Sequence, residues 1–282
     1  MHASAISGAA DHAIHEATPW LEKLARLGFV AKGVLYMTIG ALAIGAALRL
    51  GGTPHGQRGA MGTLLRAPAG RVLLVIIAIG LFGYAIWRFI EAIRDPFHRH
   101  VDPKSQAKNV ATRVRSAGLG VIQVALAFSA LKIALGHTSA ASDGNASSHW
   151  TARALATPGG TVALWLIAAA FVGYGLQQIY VGWKAKLDKE LWLGQLSNDT
   201  RKFLVGASRF GIAARGVVFA TTGVLVGRAI QHRDPQRVKG IKASLIELFE
   251  LGRWPFAIVA LGLVAYGVYQ LLEARYRRIA IA

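Results

Sequence analysis

Six long apolar runs constrain the fold of this chain more than any other feature. They cover residues 27–49, 70–93, 114–136, 160–183, 209–230 and 254–274. An α-helix rises about 1.5 Å per residue, so about 20 apolar residues cross the hydrocarbon core of a bilayer. Only 16% of the residues are charged, against about 25% in soluble domains. The runs do not alternate as barrel strands do. They therefore predict an all-α integral membrane protein with six transmembrane helices.

The spans fall into a threefold internal repeat. The first, third and fifth align without gaps on ARLGFVAKGVLY (25–36), TRVRSAGLGVIQ (112–123) and SRFGIAARGVVF (208–219). The second, fourth and sixth align on GLFGYAIW (80–87), AFVGYGLQ (170–177) and GLVAYGVY (262–269). Because such periodicity defines a structural unit, each copy is predicted to be a two-helix hairpin. The predicted units are a polar N-terminal tail (1–17) and hairpins at 18–95, 102–188 and 198–278.

The number of spans in each copy fixes the symmetry. Two spans return the chain to its starting side, so all three copies point the same way, related by an axis along the membrane normal. A pseudo-threefold ring of hairpins is predicted, with an open row as the alternative. Short interfacial helices are expected at 60–68, 150–158 and 242–252, before the even spans, and within 184–202.

These motifs resemble a known family. The Lys-Gly or Arg-Gly pair in the odd spans, the small residues that open the even motif and the three hairpins are similar to the bacterial membrane family known as domain of unknown function 1206. The similarity covers about residues 25–278, although the middle copy has Leu119 in place of the basic residue. The resemblance implies a three-hairpin membrane protein and no known activity.

The distribution of basic residues predicts the orientation. Near the helix ends, the side that carries the N-terminus, the C-terminus and loops two and four has 17 Lys and Arg residues, and the other side has 11. Because basic residues accumulate on the cytoplasmic side, both termini are expected in the cytoplasm of a bacterium, with the chain in the inner membrane. The loop at 228–253, which has six basic residues, is an exception.

Charged residues within the spans are the leading functional candidates, because a lone charge in the bilayer is costly. Repeats one and three each have one basic and one acidic residue at equivalent positions, and the middle repeat has neither. The antiparallel geometry predicts two ion pairs, Lys32–Glu91 and Arg215–Glu273, and Arg88 is placed to share Glu91. Such pairs either clip the hairpins together or line a path for a solute or proton.

Three further sets recur at fixed spacing. Arginines at the inner boundary either anchor the topology or form a ring that attracts anions; they are Arg26, Arg113 and Arg209. Tyrosines in the even spans are expected to hydrogen-bond across helices; they are Tyr84, Tyr174 and Tyr266. Small residues in the odd spans predict close helix packing; they are Gly33, Gly40, Gly120, Gly216, Gly223 and Gly227.

The composition and the positions of the histidines exclude several kinds of chemical site. The chain has no cysteine, so thiol chemistry and cysteine-based metal sites are excluded. All nine histidines lie outside the predicted spans, so no haem site is expected within the bundle. No catalytic motif is found. Neither a metal, a cofactor nor an enzymatic activity is therefore expected, and the net charge of +18 is assigned to loops rather than to nucleic-acid binding.

Three functions remain open at this stage. The first is a structural or stress-related scaffold without catalysis. The second is a small-solute or ion transporter or channel with a path along the pseudo-threefold axis, and the third is an anionic-lipid-binding protein. In each case the expected partner is the bilayer, with anionic lipids at the cytoplasmic face. A continuous axial cavity lined by polar residues from all three repeats would favour the second function, whereas polar residues that each face a helix partner would not.

Overall fold

The computed structural model describes residues 2–50, 54–94, 103–137, 145–184, 197–234 and 240–276. For 2–19, 21, 94, 103–109, 111 and 145–147 it describes the backbone alone. These ranges contain nine helices and no strand. The helices are α1 (His2–Ala47), α2 (Gln57–Leu65), α3 (Gly70–Arg94), α4 (Pro103–Ala134), α5 (Asn145–Leu155), α6 (Pro158–Lys184), α7 (Asn198–Gln231), α8 (Ile241–Glu250) and α9 (Arg253–Tyr276).

Six of these helices confirm the predicted spans. The odd spans lie in α1, α4 and α7 and the even spans in α3, α6 and α9, and each is long and apolar enough to cross a membrane. The short helices α2, α5 and α8 lie where interfacial segments were predicted. The interfacial segment predicted within 184–202 lies mostly outside the described residues. The predicted N-terminal tail, by contrast, is helical in the structure: α1 begins at His2 and runs through Pro19.

The turn from each short helix into the next long helix requires a glycine. An added Cβ at Gly70 would clash with the carbonyl oxygens of the last turn of α2, and one at Gly160 would clash with Ala154 of α5. Gly252, at the third equivalent position, has φ +139, a conformation that other residues rarely adopt. Three glycines at equivalent positions thus let each short helix fold back beside its span.

The long helices form a pseudo-threefold ring with one gap. α3 packs between α1 and α4, α9 packs between α7 and α1, and α6 packs against α7. Each even helix therefore contacts the odd helix of the next repeat, and α9 closes onto α1. Within the described ranges, α4 and α6 do not pack together as the other adjacent helices do. The middle repeat thus has the two long helices predicted for it without the packing between them.

Predicted packing glycines form the contacts between repeats. A Cβ added at Gly33 would lie 2.8 Å from the side chain of Leu271. A Cβ at Gly120 would lie 3.0 Å from that of Phe89, and one at Gly216 would lie 2.9 Å from that of Ile179. Those three partners occupy equivalent positions on the even helices. Two helical turns further along the same interfaces, Gly40 packs on α9 and Gly223 packs on α6. Gly227 is different, since an added Cβ there would meet Trp165 at an ordinary 3.5 Å.

Apolar packing fills the half of the bundle that contains the short helices. One cluster joins α1, α3 and α4 around Leu35, Ile77 and Ala130, with Met61 of α2 fully buried beside them. A second cluster joins α1, α7 and α9, with Leu245 of α8 fully buried in it. The opposite half, where the odd helices enter and the even helices end, is here called the terminal side.

Candidate functional site

A polar cavity of about 280 Å³ lies within the terminal half of the ring. Side chains from all six long helices line it, so every repeat contributes. Six of these side chains are basic or acidic: Lys32, Arg88, Glu91, Arg115, Arg215 and Glu273. A cavity lined by all three repeats was expected of a transporter if it ran along the whole axis; this one, called the axial cavity, lies in the terminal half.

Tyr84 organises the part of the cavity that belongs to repeat one. Its hydroxyl accepts hydrogen bonds from Lys32 Nζ across the hairpin at 3.2 Å and from Arg88 Nε at 2.8 Å. Arg88 also pairs with Glu91, with 2.5 Å between Nη1 and Oε2. Ser116 Oγ of α4 donates to the same carboxylate oxygen at 3.1 Å. Arg88 therefore forms the ion pair with Glu91, as the sequence spacing allowed, and Lys32 donates to the Tyr84 hydroxyl instead.

Arg215 lies in an aromatic cage. Its Nε donates to Tyr36 Oη at 3.2 Å, and its Nη1 donates to Tyr174 Oη at 3.3 Å. The guanidinium carbon lies 4.8 Å from the ring centroids of both Phe219 and Tyr266, within the range of cation–π attraction. The cage is drawn from α1, α6, α7 and α9, so this one arginine joins all three repeats.

The two predicted ion pairs are not the contacts that the described residues make. Glu91 is bound by Arg88 rather than by Lys32. Glu273 accepts a hydrogen bond from Gln270 on its own helix, while Arg215 is surrounded by tyrosines. The physical reason is local, because residues three or four apart on one helix face meet without bringing two helices into register.

Uncompensated positive charge remains in the cavity. Arginine keeps its proton in proteins, and neither Arg115 nor Arg215 forms an ion pair with a carboxylate in the described part of the chain. Arg215 is 8% exposed. A buried cation without a counter-charge is costly at membrane depth. The arrangement therefore favours an anionic occupant.

Within the described ranges, Gln123 is a second cavity residue with a polar group that lacks a partner, in this case a hydrogen-bond donor. This side chain of α4 lines the cavity and is 6% exposed. Its Oε1 is buried and has no hydrogen-bond partner among the described residues. A buried acceptor without a donor costs about 1–3 kcal/mol. An occupant that offers a hydroxyl or an N–H group to Gln123 would remove that cost.

The arginines of the inner boundary lie outside this cavity. Arg26 donates to the carbonyl oxygen of Ala274 at 2.5 Å, and Arg209 donates to that of Gly182 at 2.9 Å. Those carbonyl groups are equivalent and belong to the last turns of α9 and α6, where helix carbonyls lack intrahelical donors. Arg113 is exposed. Arg26 and Arg209 thus hold neighbouring repeats together, and the three arginines do not form a ring on the axis.

The three repeated tyrosines all line the cavity. Tyr84 and Tyr174 form hydrogen bonds across helices, to Lys32 and Arg215. Tyr266 instead donates to Gln270 of its own helix at 3.1 Å, and its ring packs edge-on against Tyr36 of α1. All three tyrosines therefore build the cavity wall, by two different modes of contact.

Comparison with known proteins identifies the family. The family model described as Domain of Unknown Function (DUF1206) matches three times, at residues 27–95, 114–185 and 210–277. The chain belongs to this family. Each DUF1206 match contains one odd and one even long helix, so the family unit is the structural repeat. The resemblance noted from the sequence is thereby confirmed.

Relatives extend the match over nearly the whole chain. The uncharacterized protein YxxB of Bacillus subtilis (strain 168) is 29% identical over 265 residues, which is 93% of each chain. No solved structure matches this DUF1206 chain. The matched family and relative carry no activity in their descriptions.

Proposed function

We propose that this membrane protein binds an anionic group, a carboxylate or a phosphate, in its axial cavity. The observation that carries the proposal is the convergence of one basic side chain from each repeat, namely Lys32, Arg115 and Arg215, without a carboxylate partner. Arginine and lysine are the side chains that recognise such anions, because they combine charge with several hydrogen-bond donors.

Two features favour a ligand over a purely structural role. A structural clip would pair its charges, because unpaired charges in the membrane destabilise the fold. Among the basic residues of this cavity, only Arg88 pairs with a carboxylate of the described part of the chain. The volume of about 280 Å³ is also close to the lower end of the range for small-molecule sites, roughly 300–1,000 Å³.

We propose binding, and not catalysis, as the chemistry of the cavity. Its described lining contains tyrosine, glutamine, lysine, arginine and glutamate but no serine, threonine or histidine, so it lacks a hydroxyl nucleophile of the serine–histidine type. Apolar clusters fill the other half of the bundle. The transporter function considered from the sequence therefore requires that half to open, with the cavity as the loading site.

The orientation and location are also part of the proposal. The excess of basic residues supports a cytoplasmic terminal side, in a bacterial inner membrane with anionic lipids at that face. Because the chain has no cysteine, Thr200→Cys and Thr63→Cys each provide a single thiol. An impermeant maleimide added to intact cells is expected to label Thr63→Cys only. Labelling of Thr200→Cys alone would reverse the orientation.

Calorimetric titration of the purified protein with inorganic phosphate and with acetate tests the binding proposal. The Arg215→Gln variant is expected to lower the affinity at least about tenfold, which corresponds to about 1.4 kcal/mol. Arg115 and Arg113 offer a matched pair on α4, since only Arg115 lines the cavity. Arg115→Gln should weaken binding and Arg113→Gln should not. Absence of saturable binding of either anion, or equal loss in both α4 variants, would refute the proposal.

A further inference from the structure

The gap between α4 and α6 is built into the sequence of the middle repeat. In repeats one and three, Gly28 and Gly211 pack directly on the backbone or Cβ of Tyr84 and Tyr266, where an added Cβ would clash. The aligned residue in the middle repeat is Arg115. A large cationic side chain thus stands where the other hairpins need a glycine, and α4 and α6 do not close.

Two glycines show that α4 and α6 lack the contact that the helices of the other repeats make. Gly118 of α4 and Gly173 of α6 have nothing within 4 Å of an added Cβ. Their counterparts in repeat three, Ala214 and Ala265, lie in the interface between α7 and α9, where they meet Gly262 and Gly211. The middle repeat therefore has residues small enough for close packing but leaves them uncovered.

Larger side chains show the same opening along the helices. Ile122 of α4 is 46% exposed, whereas its counterparts Leu35 and Val218 are 1% and 2% exposed. Ile167 of α6 is also 46% exposed, whereas its counterparts Ile77 and Val259 are 2% and 8% exposed. The opening between these two helices is called the seam. It is lined by Arg115, Gly118, Ile122, Ile167, Gly173 and Gln177.

The seam changes from polar to apolar along its length. Arg115 and Gln177 are exposed and also line the axial cavity at the terminal side. Ile122 and Ile167 lie seven and ten residues away along their helices, about 10 and 15 Å deeper in the bilayer. A cationic end at the membrane boundary and an apolar end towards its centre match the polarity of a lipid in the terminal-side leaflet.

We propose that the anionic group bound in the axial cavity is the headgroup of an amphiphile, which enters sideways through the seam while its acyl chain stays between α4 and α6. This inference rests on the proposed function and names its ligand class. The headgroup reaches the basic residues through the seam, and the chain covers the exposed apolar residues. A headgroup hydroxyl or ammonium supplies the donor that Gln123 Oε1 lacks.

A fluorescent label in the seam tests the inference. Gly118→Cys introduces the only thiol of the chain at a position open enough to carry bimane. The labelled protein is placed in nanodiscs that contain brominated-chain phosphatidylglycerol or, at the same mole fraction, brominated-chain phosphatidylcholine. The same label at Val224→Cys, which is exposed on α7, reports ordinary contact with lipid.

The expected result is selective quenching in the seam. At position 118, phosphatidylglycerol should quench about fivefold more effectively than phosphatidylcholine, as expected for one basic residue near an anionic headgroup. Adding Arg115→Gln should remove the difference, and Arg113→Gln should keep it. At position 224 the two lipids should quench equally.

Two outcomes would overturn the inference. Equal quenching by both lipids at position 118 would mean that the seam selects no headgroup. Absence of quenching by either would mean that a second chain or closure of the helices covers the seam. Phosphate titration separates these failures from failure of the proposed function: if Arg215-dependent phosphate binding persists, the cavity binds a water-soluble anion and only the lipid assignment fails.

Discussion

The middle repeat and its two neighbours have the same helices in the same order, yet only the neighbours form packed hairpins. In repeat three, Gly211 lets α7 approach the backbone of Tyr266. In the middle repeat, Arg115 takes that position, and the exposed Gly118 and Gly173 mark the interface that does not form. Whether the two long helices of a repeat pack together thus depends on the one residue at their closest approach.

The same comparison explains how the cavity acquires its charge. Repeats one and three carry their basic residues as Lys32 and Arg215, one turn further along the helix than the glycine. The middle repeat has Leu119 there, so its basic residue, Arg115, comes from the glycine position instead. The odd helix of each repeat thus gives the cavity one basic side chain, and that of the middle repeat lies at the seam.

Transferring the arginine to repeat three is the change with the largest expected effect. Gly211→Arg would force a charged side chain against the backbone of Tyr266, in an interface with no space for a Cβ. Overpacking costs about 1–3 kcal/mol, and an unpaired charge in the membrane costs several more. The variant is expected to lose its monodisperse peak in fluorescence-detected size exclusion.

The reciprocal variant is the control for that prediction. Arg115→Gly removes a side chain that is exposed and not required for packing, so the protein should keep its peak and its melting temperature should not fall. If Gly211→Arg were as stable as Arg115→Gly, the glycine position would not control closure of the hairpins.

Alanine substitutions test the same two helix interfaces with smaller expected effects on stability. Gly211→Ala places a Cβ against Tyr266, and we expect it to destabilise the protein by about 1–3 kcal/mol. Gly173→Ala meets open space and should be neutral or stabilise α6 by up to about 1 kcal/mol, because alanine favours the helix. Thermal denaturation in one detergent measures both variants. A lower melting temperature for Gly173→Ala would show that α4 and α6 are packed together.

The boundary arginines give the smallest expected difference. Arg209→Ala removes a hydrogen bond to the last turn of α6 and should cost about 0.5–1.5 kcal/mol. Arg113→Ala, at the equivalent but exposed position of the middle repeat, should change stability by less than about 0.5 kcal/mol. Thermal denaturation again checks the pair. Equal losses would mean that Arg113 anchors its repeat as Arg209 does.

The sequence predicts the architecture well because apolar length and repetition are local properties. The six spans, the short helices before the even spans and the close packing at Gly33, Gly120 and Gly216 were all readable from it. The N-terminal tail was not, because alanine-rich residues continue α1 through Pro19, where composition and proline favoured a boundary.

The ion-pair and hydrogen-bond partners of the charged side chains were harder to predict, because they depend on rotamers and on which neighbours a helix faces. The acidic residues Glu91 and Glu273 find partners on their own helices, Arg88 and Gln270. The signal for the seam was nevertheless present in the alignment, where Arg115 replaces a glycine found in both other repeats. Its meaning follows only once the contact made by that glycine is known.

Disulfide trapping of equivalent cysteine pairs tests the open middle repeat most directly. In this cysteine-free chain, Ala214→Cys with Gly262→Cys reports the closed hairpin of repeat three, and Gly118→Cys with Ala170→Cys reports the middle repeat. A disulfide requires Cα atoms within about 7 Å of each other. In native membranes treated with a mild oxidant, the first pair should cross-link and the second should stay reduced. Equally rapid cross-linking of both pairs would contradict the seam and the account built on it.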